Sequence, residues 1–194
     1  NWNYEIGVTM MGIWGLWEKI GDSVYIKYVK KIVDHFVTAD GEIRTYDLTD
    51  YNADHILTGR LILRLYDAYQ DPKYKKAADL LRKQIDWQPR NRAGGFWHKL
   101  KYPAQMWLDG LYMIEPYYAE YTKRFGGKEA YADIVHEFVL MEQKARDPNT
   151  GLLYHGWDES RQQFWADNQT GLSQSFWSRA MGWYHVALVE VLDV

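Results

Sequence analysis

Asp109 is the residue whose setting most asks for a chemical explanation. It stands in P-A-Q-M-W-L-D-G-L-Y-M, residues 103–113, a lone carboxylate that follows Trp107 and Leu108 and opens a helical run to about Tyr121 whose first turns are otherwise almost uncharged. Burial disfavours the ionised form of a carboxyl group, and a carboxyl that keeps its proton near neutral pH is what a general acid needs. The competing reading is electrostatic only, because an Asp in a first turn complements the positive end of its helix dipole. Asp54, in Y-N-A-D-H, holds the equivalent point one helical hairpin earlier, where an N-cap is wanted. Two carboxylates on neighbouring helices raise one another's proton affinity, which leaves one as acid and the other as charge stabiliser. In its barest form that is the carboxylate pairing of glycoside hydrolysis.

Arg179 lies in S-F-W-S-R-A-M-G-W-Y, flanked by Trp177 and Trp183 in an otherwise apolar helix. A cation there is costly without an anion to meet, and a substrate carboxylate satisfies it through a bidentate contact. His155, in L-Y-H-G-W-D, sits within the longest loop, where a histidine serves either as a surface residue or as a proton-transfer group. The other histidines, His35, His55, His98, His136 and His185, show no paired metal-ligand spacing, and H-E-x-x-H is absent. Trp14, Trp17 and Trp87 read as core. Trp107, Trp177 and Trp183 lie beside the charged set and read as a ring-stacking wall.

These residues need a scaffold, and the hydrophobic periodicity supplies one. A run from about Tyr4 to Lys19 is apolar on more than one side, whereas the next, capped by Asp22 or Ser23 and reaching about Val37, carries one stripe of Tyr25, Tyr28, Val29, Ile32, Val33 and Phe36. The alternation recurs. A helix from about Ala53 to Tyr69 is apolar around most of its girth, and Asp71-Pro72 starts a second with the narrow stripe Tyr74, Ala77, Ala78, Leu81 and Ile85. The third round pairs the helix from Trp107 with one whose stripe is Tyr131, Ile134, Val135, Phe138 and Val139. A long loop, residues 146–175, follows and includes a small hairpin around 152–154 and 163–165. A last helix runs from about Phe176 to Leu192.

This pattern predicts an all-α, two-layer array of helical hairpins, a toroid or solenoid with buried inner helices and half-exposed outer ones. The long loops all lead from an outer helix into the next inner one. They therefore gather at one end of the array, and Asp54, Asp109 and Arg179 converge there.

Composition narrows the partners. The chain of 194 residues has net charge -3 and no long basic run, which leaves no electrostatic footprint for nucleic acid or an anionic membrane. It contains no cysteine, so disulfides, thiol nucleophiles and thiolate-bound zinc are excluded. No apolar run reaches the ~20 residues that cross a bilayer, and Asn1-Trp2-Asn3 is not a signal peptide. The expectation is a cytoplasmic protein, although a chain that does not begin with Met leaves an upstream leader open. The 10 Trp, 16 Tyr and 6 Phe point towards flat platforms for sugar rings.

The segments A-D-H-I-L-T-G-R (53–60), G-G-F-W-H-K (94–99), Y-P-A-Q-M-W-L-D-G-L-Y-M (102–113), L-Y-H-G-W-D-E-S (153–160) and W-S-R-A-M-G-W-Y (177–184) together resemble the unsaturated glucuronyl and rhamnogalacturonyl hydrolases, above all glycoside hydrolase family 105. The resemblance implies an (α/α)6 barrel. It also implies removal of a 4,5-unsaturated uronic acid from the non-reducing end of lyase-generated pectin or rhamnogalacturonan oligosaccharides. In that scheme Asp109 is the general acid/base and Asp54 assists, while His155, Arg179, Trp107, Trp177 and Trp183 line the pocket. No metal or organic cofactor is implied, since protonation and hydration need only carboxyl groups and water.

The sequence holds three complete hairpins and one further inner helix, so the resemblance covers about the N-terminal half of a family member. The expectation is a single α/α-barrel catalytic domain over 1–194, truncated on its C-terminal side and open to self-association there. The alternative is a non-catalytic carbohydrate-binding or structural helical scaffold, in which the carboxylates only cap helices.

Overall fold

In a computed structural model that describes residues 1–194, the outer helices begin as their sequences dictate. Asp22 caps α2 (Ser23–Phe36) by accepting the Val24 N–H at 2.9 Å, and Asp71 caps α4 (Pro72–Trp87) by accepting that of Lys73 at 3.0 Å. The narrow stripe of α4 is buried throughout, from Tyr74 to Ile85. These helices pair with inner helices to give three hairpins: α1 (Tyr4–Ile20) with α2, α3 (Gly59–Tyr69) with α4, and α5 (Leu108–Phe125) with α6 (Ala130–Ala145). The inner layer runs α1, α3, α5 and then α7 (Ser178–Leu192), each packed on the next. The architecture is the all-α hairpin array of the sequence reading. No helix is long and apolar enough to cross a membrane.

Burial in the inner layer is uneven. In α3 the side chains of Leu61, Ile62, Leu63 and Leu65 are all withdrawn from solvent, and α5 is buried on nearly every side. In α1 and α7, by contrast, only Gly7, Met10 and Trp14, and Ala180, Tyr184 and Ala187, are buried. The expectation that all inner helices are enclosed on both sides therefore holds for α3 and α5 alone. An end helix has one inner neighbour instead of two, and the rest of its apolar surface stays open.

Three local details depart from the sequence reading. The loop 146–175 contributes a strand, β2 (Gly156–Asp158), whose ladder partner is β1 (Gln105–Trp107); within the loop Trp157 bridges Leu172, in place of the expected hairpin of 152–154 with 163–165. The two strands are antiparallel, with Met106 opposite Trp157. Trp87 is exposed, with the Lys83 ammonium 4.4 Å from its ring centroid, where core packing was expected. On α6, Val135 and Val139 are also exposed, and the buried row runs through Ala130, Ile134, Glu137, Phe138, Met141 and Ala145.

Candidate active site

The β1–β2 pairing places the end of one loop over the start of another. Leu108 donates its backbone N–H to the His155 carbonyl at 3.0 Å, so His155 is fixed beside the first turn of α5. There His155 Nε2 lies 3.5 Å from Asp109 Oδ2, and Arg179 Nη2, from the first turn of α7, lies 3.7 Å from Oδ1. Asp109 is 7% exposed, and its buried Oδ2 makes no hydrogen bond. Burial pushes its carboxyl above the ordinary carboxylate range. The nearby His155, the backbone and Arg179 oppose that shift, while the Asp54 charge adds to it. Burial likewise pushes His155 below its ordinary value, against the pull of Asp109. Burial thus moves both groups towards their uncharged forms.

Asp54 does not cap its helix. It lies in a single 3-10 turn, Ala53–His55, whose cap is Asn52, with the Asn52 side chain accepting the Asp54 N–H at 3.1 Å. The Asp54 carboxylate is thereby released for other partners. Oδ2 is ion-paired with Lys99, and Oδ1 stands 3.5 Å from His98 Nε2. His98 is buried, which depresses its pKa to about 4, and its ring is stacked on Trp107. Tyr102 covers the other side of the Trp107 stack at 5.0 Å, and Gln105 Oε1 accepts the indole N–H at 3.1 Å.

Beside His155 and Trp107 lies a cleft of about 730 Å³, lined also by Phe164, Trp165, Phe176 and Trp177, which Asp109 and Arg179 adjoin through His155 and Trp177 without lining it. His155 is stacked on Trp177 at 5.0 Å and meets Trp107 edge-on at 5.5 Å. The Arg179 guanidinium lies 4.1 Å above the Trp177 ring and is about half exposed, so it is held in place yet able to meet a ligand.

The structure brings together Asp109, His155, Arg179, Trp107 and Trp177, with Asp54 reaching the group through His98 and Trp107. Trp183 is different. It stacks on Tyr112 of α5 at 4.6 Å rather than on any member of the Asp109, His155 and Arg179 group. Sequence reasoning passed over His98, Lys99 and Tyr102, although all three lie in or beside segments quoted above, and it passed over Phe164, which is 94% exposed at the cleft edge. The signal for His98 and Lys99 was adjacency: a His-Lys pair before a Trp-Leu-Asp helix start. No group of three or more His, Asp or Glu side chains is gathered as for a metal ion.

A model of the family described as Glycosyl Hydrolase Family 88 matches residues 1–194. The chain is 25% identical over 199 aligned positions to the unsaturated rhamnogalacturonyl hydrolase YesR of Bacillus subtilis, covering 100% of this chain and 54% of that protein. Among solved structures, a family 105 glycoside hydrolase of C. acetobutylicum is 45% identical and superposes with a TM-score of 0.98, covering 100% of this chain and 54% of that one. A possible family 105 member from Salmonella enterica, at 24% identity and a TM-score of 0.78, shares the fold. The chain spans about half the length of these relatives.

Proposed function

The chain belongs to glycosyl hydrolase family 88, and from that premise we propose that it serves a hydrolase that releases a 4,5-unsaturated uronic acid from the non-reducing end of a pectin- or rhamnogalacturonan-derived oligosaccharide. The observation that carries this reading is Asp109. It is a buried carboxyl with a free oxygen, raised in pKa, set between His155 and the Arg179 cation, and His155 in turn lines an aromatic cleft. The activity for which YesR is named and the resemblance of the motifs support the substrate class.

In the proposed reaction the unsaturated ring enters the cleft that Trp107 and Trp177 border, their faces already engaged by His98, Tyr102, His155 and Arg179, and its carboxylate meets Arg179. Asp109 donates its proton to C4 of the C4=C5 enol ether, and the positive charge develops at C5 and the ring oxygen. Ionised Asp109 then takes a proton from a water that adds to C5. The resulting hemiketal opens and expels the aglycone alcohol, so the anomeric carbon is never attacked directly. Asp54, restrained by Lys99 and His98, assists by holding the substrate and by keeping the Asp109 proton affinity high. The same reading takes residues 1–194 as part of one catalytic domain, with a second copy of the chain as the expected partner for the exposed Val186, Val189 and Leu192 of α7.

The decisive experiment follows the ultraviolet absorbance of the C4=C5 bond of an unsaturated galacturonyl-rhamnose disaccharide, beside calorimetric binding of the same compound. Turnover that disappears in Asp109→Asn while binding persists supports the hydrolase. Binding unaffected by Asp109→Asn, with no turnover in either protein, points instead to a carbohydrate-binding scaffold.

A further inference from the structure

Trp107 also borders a second, much smaller cavity of about 10 Å³, which is the room one water needs. Trp97, His98, Gly110 and Glu115 are among its lining residues. Three of these carry a buried polar atom that finds no hydrogen-bond partner: Trp97 Nε1, His98 Nδ1 and Glu115 Oε2. Unpartnered buried polar atoms are rare. Three around one cavity of this size are a recognition site for a small hydrogen-bonding molecule.

The backbone allows the approach. A Cβ at Gly110 would stand 3.0 Å from His98 Nδ1, so the missing side chain lets the imidazole nitrogen face α5 directly. Glu115 lies further along α5, 1% exposed. Burial, with the Glu137 charge beside it, holds its carboxyl well above the ordinary range, so it is the neutral acid there. Glu137 itself is satisfied, accepting the Phe96 N–H at 3.0 Å and contacting Arg90 Nη1 at 3.3 Å.

Donors and acceptors then balance. His98 is neutral, and an Nε2–H facing the Asp54 carboxylate leaves Nδ1 as an acceptor. The neutral Glu115, with its proton on Oε1, offers the carbonyl-type Oε2 as a second acceptor. The Trp97 indole offers one donor. One water accepts from the indole and donates to the other two.

We propose that this cavity binds a single internal water joining Trp97, His98 and Glu115, and that Glu115 is thereby a positioning residue that fixes the Nε2–H tautomer of His98. Through that tautomer it fixes the polarity of the face that His98 turns to Asp54. The water site stands apart from any reaction, and only its effect on the cleft rests on the hydrolase reading.

The test needs no substrate. In the wild-type chain a water-to-amide-type nuclear Overhauser experiment shows a cross-peak from a long-lived water to the Trp97 indole proton, and the ¹⁵N spectrum shows His98 with its proton on Nε2. Glu115→Gln retains an acceptor oxygen and keeps both signals. Glu115→Leu, similar in size but without an acceptor, loses the cross-peak and shifts His98 towards a mixture of tautomers. Absence of the cross-peak in the wild-type chain overturns the proposal, as does a His98 tautomer unchanged in Glu115→Leu. Should Glu115→Leu fail to fold, the wild-type cross-peak and Glu115→Gln decide the matter alone. Where turnover is measurable, Glu115→Gln retains it and Glu115→Leu lowers kcat several-fold with little change in KM.

Discussion

The imidazole of His98 lies flat on the indole of Trp107, ring centroids 4.5 Å apart and planes 20° from parallel. With Tyr102 on the same indole at 5.0 Å and 21°, Trp107 is the shared member of a three-ring stack whose outer ring, His98, touches Asp54. One aromatic residue therefore serves both as the cleft wall and as the spacer between the two carboxylate environments.

Replacing Trp107 with Leu removes both stacks at once. Aromatic pairs contribute ~0.5–1.5 kcal/mol each beyond their buried area, so Trp107→Leu destabilises the chain by about 2–4 kcal/mol once the lost volume is included. Trp107→Phe costs roughly half as much. Urea denaturation of the three proteins checks both the size and the order.

Arg179→Lys keeps the charge and loses the planar fork. A charge-assisted hydrogen bond to an ionised ligand contributes ~1.5–3 kcal/mol, and Lys offers only a point charge where Arg offers two parallel donors. KM for the unsaturated disaccharide should rise ~10- to 100-fold, with kcat changed much less. Steady-state kinetics give the split, and calorimetry gives the affinity if turnover is slow.

Phe164→Ala should leave stability within about 0.5 kcal/mol, since a side chain that is almost wholly exposed adds little to folding. Under the proposed function, a bare ring lining the cleft would serve as a platform for sugars beyond the first. Affinity for a trisaccharide should fall several-fold while affinity for the free unsaturated monosaccharide stays the same, which calorimetry with both ligands reads directly.

Glu137 makes stability depend on pH. Burial pushes its carboxyl up to about 8, against the opposing pull of Arg90 and the Phe96 N–H, from an unfolded value of 4.5. The folded chain thus binds this proton more tightly than the unfolded chain. Its contribution is full below pH 4.5 and is lost as pH rises through about 8. The loss is on the order of a few kcal/mol. Glu137→Gln, which can still accept the Phe96 N–H, should flatten that part of the stability profile, as urea midpoints across the same pH range reveal.

The legible parts of the fold were those set by local chemistry. Asp22 and the Asp71-Pro72 pair announce helix starts because a cap and a fixed φ act on their own neighbours, and the Tyr74–Ile85 stripe is simple periodicity. Asp109 and Arg179 were legible because a charge at the head of an apolar helix is locally anomalous. The role of Asp54 was harder to read, since its helix-start position suggested a cap that Asn52 in fact provides. The β1–β2 ladder pairs residues on opposite sides of a whole helical hairpin, and three-residue strands carry too little pattern to name a distant partner. His98 and Glu115 look ordinary in sequence, and only the packing around Gly110 brings them to one cavity.

That ladder also bears on how the protein comes to its final form. The α3–α4 and α5–α6 hairpins are local and close over short separations, but β1 and β2 can meet only after α5 and α6 have folded back and the loop beyond them has crossed over. Contacts of this kind are slow to form because chain entropy is lost before they return any stability. By this argument the contact between His155 and Asp109 is expected to form after the helical hairpins. A partly folded chain with all its helices in place would still lack the pair, and recovery of a signal from His155 or Asp109 would time the end of the process, where helix content times its beginning.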